Sequence, residues 1–154
     1  MNYNQKKHIQ LLKRSQDLKN EGKDLFQENQ KEYFELAQYD IVVEEHFFWE
    51  DRYKISLLME NFLTRKINCE LFCDRVFGLR CKLINKCEKF QLELISSSEK
   101  IKDFQPDERA KNLRGFLTGL FCECECLEDT ENYLEFYDSI EIGFFNFQKA
   151  LKKE

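Results

Sequence analysis

The longest periodic pattern in the chain lies between residues 72 and 94. Apolar side chains recur there at steps of three and four: Phe72, Val76, Leu79, Leu83, Cys87, Phe90 and Leu94. Because an α-helix turns once every 3.6 residues, this spacing places all of them on one face of a helix about six turns long. Such a helix must bury its apolar face against other helices.

The same spacing predicts three more helices. Their apolar positions are Ile55, Leu58, Met59 and Phe62; Leu113, Leu117, Leu120, Cys124 and Leu127; and Tyr133, Tyr137, Ile140, Phe144, Phe147 and Leu151. Turn-forming residues are scarce, with 5 Gly and 1 Pro in 154 residues. Few turns and short loops between amphipathic helices favour antiparallel packing. The sequence therefore predicts an all-α fold, an antiparallel four-helix bundle with an N-terminal helical extension.

Residues 1–36 are more polar than the rest of the chain. A step of seven residues separates Leu11 from Leu18 and Leu18 from Leu25, and Phe26 and Tyr33 follow; this spacing suits one long, weakly amphipathic helix. We expect a bend between residues 39 and 53. We therefore divide the chain into an N-terminal helical arm, 1–48, and a four-helix domain, 49–154. The arm is expected to pack on this domain or on a partner.

The composition limits the classes of protein to consider. Hydrophobic residues make up 42% of the chain and charged residues 34%, which fits neither a disordered nor a membrane-spanning protein. The polar N-terminus does not resemble a signal peptide, and seven cysteines are an odd number for a disulfide framework. We expect an intracellular protein with reduced thiols and no membrane insertion. The compartment is the cytoplasm, or the plastid stroma or another organelle interior if the gene is organellar.

The residues that most often carry chemistry form no catalytic arrangement. Neither histidine is accompanied by a nucleophile and an acid at a defined spacing, and no glycine-rich phosphate loop occurs. In a helix, Cys124 points into the core, away from Cys122 and Cys126, which disfavours a zinc site. We predict that the cysteines are small buried residues, that the chain has no metal or cofactor, and that it is not an enzyme.

Small residues form a narrow face on the same predicted helix. This face comprises Gly115, Thr118, Gly119, Cys122 and Cys126. Small side chains allow two helices to approach closely. We expect the N-terminal arm to dock there.

The strongest functional signal is an asymmetry of charge. The 34 residues from Gly115 to Gln148 hold eight acids and no Lys or Arg, so the remainder carries +3 while the whole chain carries −5. Such a region favours a basic protein partner and disfavours direct binding of nucleic acid, although it could also be a solvated face. The predicted partner-binding residues are Glu128, Asp129, Glu131, Glu135, Asp138, Glu141, Ile142 and Phe145. The two apolar residues in this set are either anchors for the partner or covered by the N-terminal arm.

Two segments resemble a known family. Residues 52–77 include the turn Arg65-Lys66-Ile67-Asn68, followed by Glu70 and Phe72, and residues 112–148 contain the last two predicted helices. Both resemble the colicin D-type immunity proteins, the bacterial self-protective colicin-like immunity family. Their turn is Gly-Lys-Ile-Ser-like, so Arg65 departs from the family's Gly. Residues 1–50 are not matched.

The resemblance implies a function that agrees with the charge asymmetry. Proteins of this family are small helical bundles that inhibit a basic ribonuclease toxin acting on transfer RNA, and their acidic surface mimics nucleic-acid phosphates. Catalysis is not needed, because carboxylates pair with the Lys and Arg that would hold the RNA backbone. The alternative is a helical adaptor or accessory subunit of a larger, possibly organellar, complex that docks through residues 1–45.

Overall fold

The computed structural model describes residues 2–96, 101, 104–111, 113–127 and 133–152. Its elements in chain order are α1 (Gln5–Asn20), α2 (Leu25–Glu28), α3 (Gln30–Leu63), α4 (Cys69–Ser96), a 3-10 turn (Glu108–Ala110), α5 (Leu113–Cys126) and α6 (Tyr133–Leu151). The described part of the chain contains no strand. The prediction of an all-α helical bundle is confirmed.

Helices α3 to α6 form the four-helix bundle, and aromatic contacts show the direction of each. Phe62 near the end of α3 stacks on Phe72 near the start of α4, with ring centroids 4.6 Å apart, whereas Phe47 contacts Phe90 at the other end. The two helices are therefore antiparallel. Phe116 at the start of α5 stacks on Phe147 at the end of α6 at 4.6 Å, so this pair is antiparallel as well.

The core follows the predicted apolar stripes. The four stripe residues of the end of α3 are buried, as are five of the seven on α4 and four on α5: Ile55, Leu58, Met59 and Phe62; Phe72, Val76, Leu83, Phe90 and Leu94; and Leu113, Leu117, Leu120 and Cys124. Burying a large apolar side chain contributes about 1.5–3 kcal/mol relative to leaving it exposed. These stripes therefore hold the four helices together.

The N-terminal region differs from the single long helix that we predicted. Gly22 adopts a left-handed backbone with φ of 72° and ends α1, Asp24 caps α2, and Asn29 caps α3. A left-handed residue ends a helix, and a side-chain cap marks the start of the next one. These residues therefore explain the breaks between α1 and α2 and between α2 and α3.

Helix α3 is continuous from residue 30 to residue 63 and extends about twenty residues further towards the N-terminus than predicted. The bend expected between residues 39 and 53 does not interrupt it. The predicted boundary between residues 48 and 49 lies inside this helix. Helix α1 packs against α3 and α4 and shares their core through Leu11 and Leu12. The expectation that the N-terminal arm docks on the small-residue face of α5 is therefore wrong.

A buried carboxylate on α3 positions the start of α5. Oε1 of Glu45 accepts the backbone N–H of Arg114 at 3.3 Å, and the Arg114 side chain pairs with Glu44 at 3.3 Å. The first N–H groups of a helix lack partners within the helix, and a carboxylate from a neighbouring helix can accept one of them. Its negative charge also interacts favourably with the positive end of the helix dipole. Glu45 thus connects the middle of α3 to the helix that borders the candidate binding surface.

Candidate protein-binding surface on α6

Aromatic packing fixes the rotation of α6 about its axis. Phe147 lies against Phe116 and Phe48, and Phe136 packs against Phe62 at 5.5 Å. The Tyr137 hydroxyl donates to the backbone carbonyl of Leu63 at 2.6 Å. Contacts at both ends of α6 therefore determine which of its residues face solvent.

The predicted apolar stripe of α6 is partly wrong at its first turn. Tyr133 was expected in the core but is 64% exposed, whereas Phe136, which was not in the stripe, is buried. Ile140 and Phe147 are buried as predicted. Aromatic residues occupy positions 133, 136 and 137, so the sequence periodicity alone fits more than one rotation of this turn.

The opposite side of α6 is an exposed surface that mixes carboxylates with large apolar side chains. We call it the α6 face; it comprises Leu134, Glu135, Asp138, Glu141, Ile142 and Phe145. Ile142 is 64% exposed, Phe145 is 58% exposed and Leu134 is 78% exposed. The N-terminal arm therefore does not cover the predicted anchors. Leu134 was not among the predicted partner-binding residues, although its spacing of eight and eleven residues from Ile142 and Phe145 places it on the same side of a helix.

The carboxylates of the α6 face have no salt-bridge partner among the residues that the structure describes. This holds for Glu135, Asp138 and Glu141, and also for Glu123 on α5. In contrast, Glu125 pairs with Arg80 at 3.0 Å. The negative charge of the α6 face is thus available to an external cation. Lys149 lies at the far end, with Nζ 4.3 Å from the centre of the Phe145 ring.

Three of the predicted partner-binding residues, Glu128, Asp129 and Glu131, lie outside the described residues. The other five, Glu135, Asp138, Glu141, Ile142 and Phe145, are exposed and lie together on α6. Their role in binding remains a prediction.

An open groove of about 310 Å³ runs between α5 and α6 beside the α6 face. Its lining includes Gly115, Gly119 and Glu123 on α5 and Ser139, Ile142 and Gly143 on α6, above Met59 and Phe116. The groove therefore has an apolar floor and small residues along one wall. Its α5 wall includes Gly115 and Gly119 from the narrow face on which we expected the N-terminal arm.

The histidines have structural contacts that the sequence did not predict. His8 is completely buried between the Tyr3 hydroxyl at 2.9 Å and the Asp40 carboxylate at 3.2 Å, although it belongs to the polar N-terminal segment. Nδ1 of His46 accepts the backbone N–H of Asp107 at 3.1 Å. Burial lowers the pKa of His46 below its usual value. Both rings join distant segments of the chain, and no local pattern could have shown these contacts.

The cysteines are only partly as predicted. Cys73 and Cys124 are buried, whereas Cys81, Cys122 and Cys126 are exposed, and all seven are free thiols. Burial raises the pKa of Cys87 to about 12 and that of Cys69 to about 11, which disfavours the reactive thiolate. The described residues contain no group of three or more His, Cys, Asp or Glu side chains that could hold a metal ion.

Two further findings concern the environment and relatives of the chain. Within the described ranges, no helix has the length and apolar character needed to cross a bilayer. Comparisons with protein-family models, with curated proteins and with solved structures found no match.

Proposed function

We propose that this chain is a non-enzymatic inhibitor that binds a basic transfer-RNA-cleaving toxin domain through the α6 face, as immunity proteins do. The observation that carries the proposal is the position of Leu134, Ile142 and Phe145, exposed beside carboxylates that have no salt-bridge partner among the described residues. Interfaces are commonly built from such apolar anchors surrounded by polar side chains.

The two kinds of side chain on the α6 face have different roles in this proposal. Burial of the apolar anchors supplies affinity, at about 25 cal/mol for each Å² removed from water. Carboxylates attract a partner rich in Lys and Arg and speed its association, an effect that salt weakens. They would also occupy the cationic groups that hold RNA phosphates, which explains inhibition without catalysis.

The turn between α3 and α4 supports the family resemblance. Arg65 has a φ of 59°, which lies in the left-handed region that glycine adopts most readily. This is the position at which the resembling family has Gly. The backbone therefore keeps the conformation that the family's residue favours, although the side chain differs.

The proposal is tested with a purified basic ribonuclease toxin domain of the colicin D class, by calorimetry and by protection of transfer RNA from cleavage. We expect salt-sensitive binding that weakens at least about tenfold in the double variant Glu135→Lys/Asp138→Lys, which corresponds to about 1.4 kcal/mol. A matched control, Glu60→Lys/Glu88→Lys, changes the net charge equally at exposed positions on α3 and α4. Equal effects of the two double variants would contradict the assignment of the α6 face.

A second candidate function is that of an adaptor subunit in a larger complex. An exposed aromatic cluster on α2 and α3 favours it: Phe26, Tyr33 and Phe34 are at least 40% exposed, and their ring centroids lie 5.2–6.1 Å apart. Deleting residues 1–45 would remove half of α3 and part of the core, so it cannot test this function. Phe34→Ser leaves the core intact and should release the protein from such a complex in size-exclusion chromatography. Unchanged association would contradict the adaptor function.

A further inference from the structure

Two glycines on α5 leave an open track along the groove between α5 and α6. A Cβ atom added at Gly115 or Gly119 would meet nothing within 4 Å. At Gly143, across the groove, it would touch Phe116 at 3.7 Å and Met59 at 3.8 Å. Packing inside the bundle therefore limits side-chain size at Gly143, whereas no described residue fills the space beside the other two glycines.

Glycine inside a helix costs about 0.5–1 kcal/mol relative to alanine. Gly115 and Gly119 lie one turn apart, on the side of α5 that contains Glu123, and no contact in the described fold requires them. Small residues spaced by four let a second helix approach the backbone closely, because its ridge can enter the space that side chains would fill. The shape of this track therefore suits a helix from outside the bundle.

We propose that the groove between α5 and α6 receives one basic, amphipathic α-helix of the partner protein. The inference rests on the proposed function, since the groove borders the α6 face, and it specifies the part of the partner that is recognised. When the partner helix is bound, its small side chains lie against Gly115 and Gly119. Its apolar side chains contact Ile142 at the edge of the groove.

The charges around the groove specify the sign of the charge on that helix. Glu123 lines the groove, and Glu135 lies one turn before Ser139 on the same side of α6. Neither carboxylate has a salt bridge with a described residue, and Asp138 lies one turn from Ile142. A second copy of this chain would bring the same carboxylates into contact, and an anionic membrane surface would also be repelled. A helix with Lys or Arg beside its small residues compensates these charges.

The length of the track sets the length of the contact. The nine residues from Gly115 to Glu123 are separated by eight steps along α5 and span about 12 Å, at a rise of 1.5 Å per residue. A partner helix therefore contacts the track over about two to three turns. We expect small residues four apart on its contacting side, with basic residues flanking them.

The probe is a synthetic helical peptide of about five turns, roughly 18 residues. Its alanines are spaced four residues apart along one stripe, and lysines and leucines occupy the helical positions that flank this stripe. A second peptide of the same composition has a central proline, which breaks the helix. Binding is measured by fluorescence anisotropy and mapped by amide chemical shifts.

The decisive variant is Gly119→Leu, which fills the groove without changing charge. Its matched control is Gly78→Leu on α4, where an added Cβ also meets nothing within 4 Å. Leucine favours a helix more than glycine does, so both variants should fold at least as stably as the parent. We expect Gly119→Leu to weaken peptide binding at least tenfold and Gly78→Leu to leave it unchanged. In the parent protein, the peptide should change the amide chemical shifts of Gly115, Gly119 and Gly143.

The outcomes separate this inference from the proposed function. Equal binding by the parent protein and Gly119→Leu would overturn the inference, and so would equal binding of the helical and proline-containing peptides. If Gly119→Leu still inhibits the toxin domain while Glu135→Lys/Asp138→Lys does not, the proposed function stands and the groove inference fails. If neither variant affects toxin inhibition, both proposals fail.

Discussion

Nε2 of His8 lies 3.2 Å from Oδ1 of Asp40, and this contact joins α1 to the N-terminal third of α3. Because a carboxylate can only accept, the ring donates from Nε2, and in its neutral form Nδ1 accepts the Tyr3 hydroxyl at 2.9 Å. Gln91 on α4 donates to the same Asp40 oxygen at 2.8 Å. The buried ring thus connects the N-terminal helix to α3, and the shared Asp40 oxygen extends the connection to α4.

We expect His8→Ala to destabilise the whole protein by about 2–4 kcal/mol, because it creates a cavity and removes the hydrogen-bond partner of Tyr3. Urea unfolding followed by circular dichroism measures the change. Lys13→Ala, at an exposed position on the same helix, should change the free energy of unfolding by less than about 0.5 kcal/mol. A separate early transition of the N-terminal residues, with the remaining unfolding unaffected, would show that α1 is not part of the cooperative unit.

The turn after α3 allows a paired test of backbone strain. Arg65 and Gly22 both adopt left-handed conformations after a helix, with φ of 59° and 72°. At Arg65 the N–H groups of residues 65 and 66 bond to the carbonyls of Phe62 and Asn61, at 2.9 and 2.8 Å. This is the Schellman arrangement, in which glycine is preferred.

Arg65→Gly should therefore stabilise the fold by about 0.5–1 kcal/mol, and Gly22→Ala should destabilise it by a similar amount. Thermal and urea unfolding of both variants measure the sign of each change in the free energy of unfolding. If Arg65→Gly destabilises the protein, the side chain of Arg65 contributes more than the relief of backbone strain.

Local patterns in the sequence were sufficient to predict the bundle but not the N-terminal path. Five of the seven stripe residues from Phe72 to Leu94 are buried, because a single apolar face is defined by spacing alone. The breaks at Gly22 and Asn29 also have local causes, a glycine and a capping side chain, but the regular leucine spacing outweighed them in our prediction. The pairing of His8 with Asp40 spans 32 residues and has no local signal.

The candidate site was predictable to the extent that helical geometry defines it. The positions of Ile142 and Phe145 opposite the core follow from one helical wheel. The groove beside them depends on how α5 and α6 pack, which involves Met59 on α3 as well. No single segment contains this information, so the sequence predicted that the N-terminal arm would dock on Gly115 and Gly119, which instead line the open groove.

The contact between His46 and Asp107 predicts a loss of stability in mild acid. Burial lowers the pKa of His46 in the folded protein below its usual value of 6.5, and Lys86 lowers it further, while Glu50 and Asp107 partly oppose the shift. Between the folded and unfolded pKa values the unfolded chain binds more protons, so His46 favours unfolding as pH falls below about 6.5. Protonation of Nδ1 also removes the acceptor for the Asp107 N–H.

Urea unfolding at pH 7.5 and pH 5.5 should show a larger loss of stability for the parent protein than for His46→Gln. The comparison of variants is needed because burial raises the pKa of Glu44, and a raised carboxyl pKa favours the folded state as the pH falls, opposite to the effect of His46. The protection factor of the Asp107 amide against hydrogen exchange, which corrects for the pH dependence of the intrinsic rate, should also fall at the lower pH in the parent protein. Identical pH dependence of the two proteins would exclude a contribution from His46.

Neighbouring residues on α6 test the rotation on which the proposed binding surface depends. Ile140 is 2% exposed and Phe147 is 1% exposed, whereas Ile142 and Phe145 are 64% and 58% exposed. Ile140→Ala and Phe147→Ala should each cost about 2–5 kcal/mol, because they leave cavities in the core. Ile142→Ala and Phe145→Ala should each cost less than about 0.5 kcal/mol, since their side chains remain largely in water in the folded state.

Urea unfolding of the four variants measures the change in the free energy of unfolding for the buried pair and for the exposed pair. The same Ile142→Ala and Phe145→Ala proteins should bind the toxin domain at least several-fold more weakly, because their side chains are the proposed anchors. Loss of affinity without loss of stability separates a binding role from a structural one. A large destabilisation at Ile142 or Phe145 would instead mean that α6 is rotated, with its carboxylates turned away from the surface assigned to the partner.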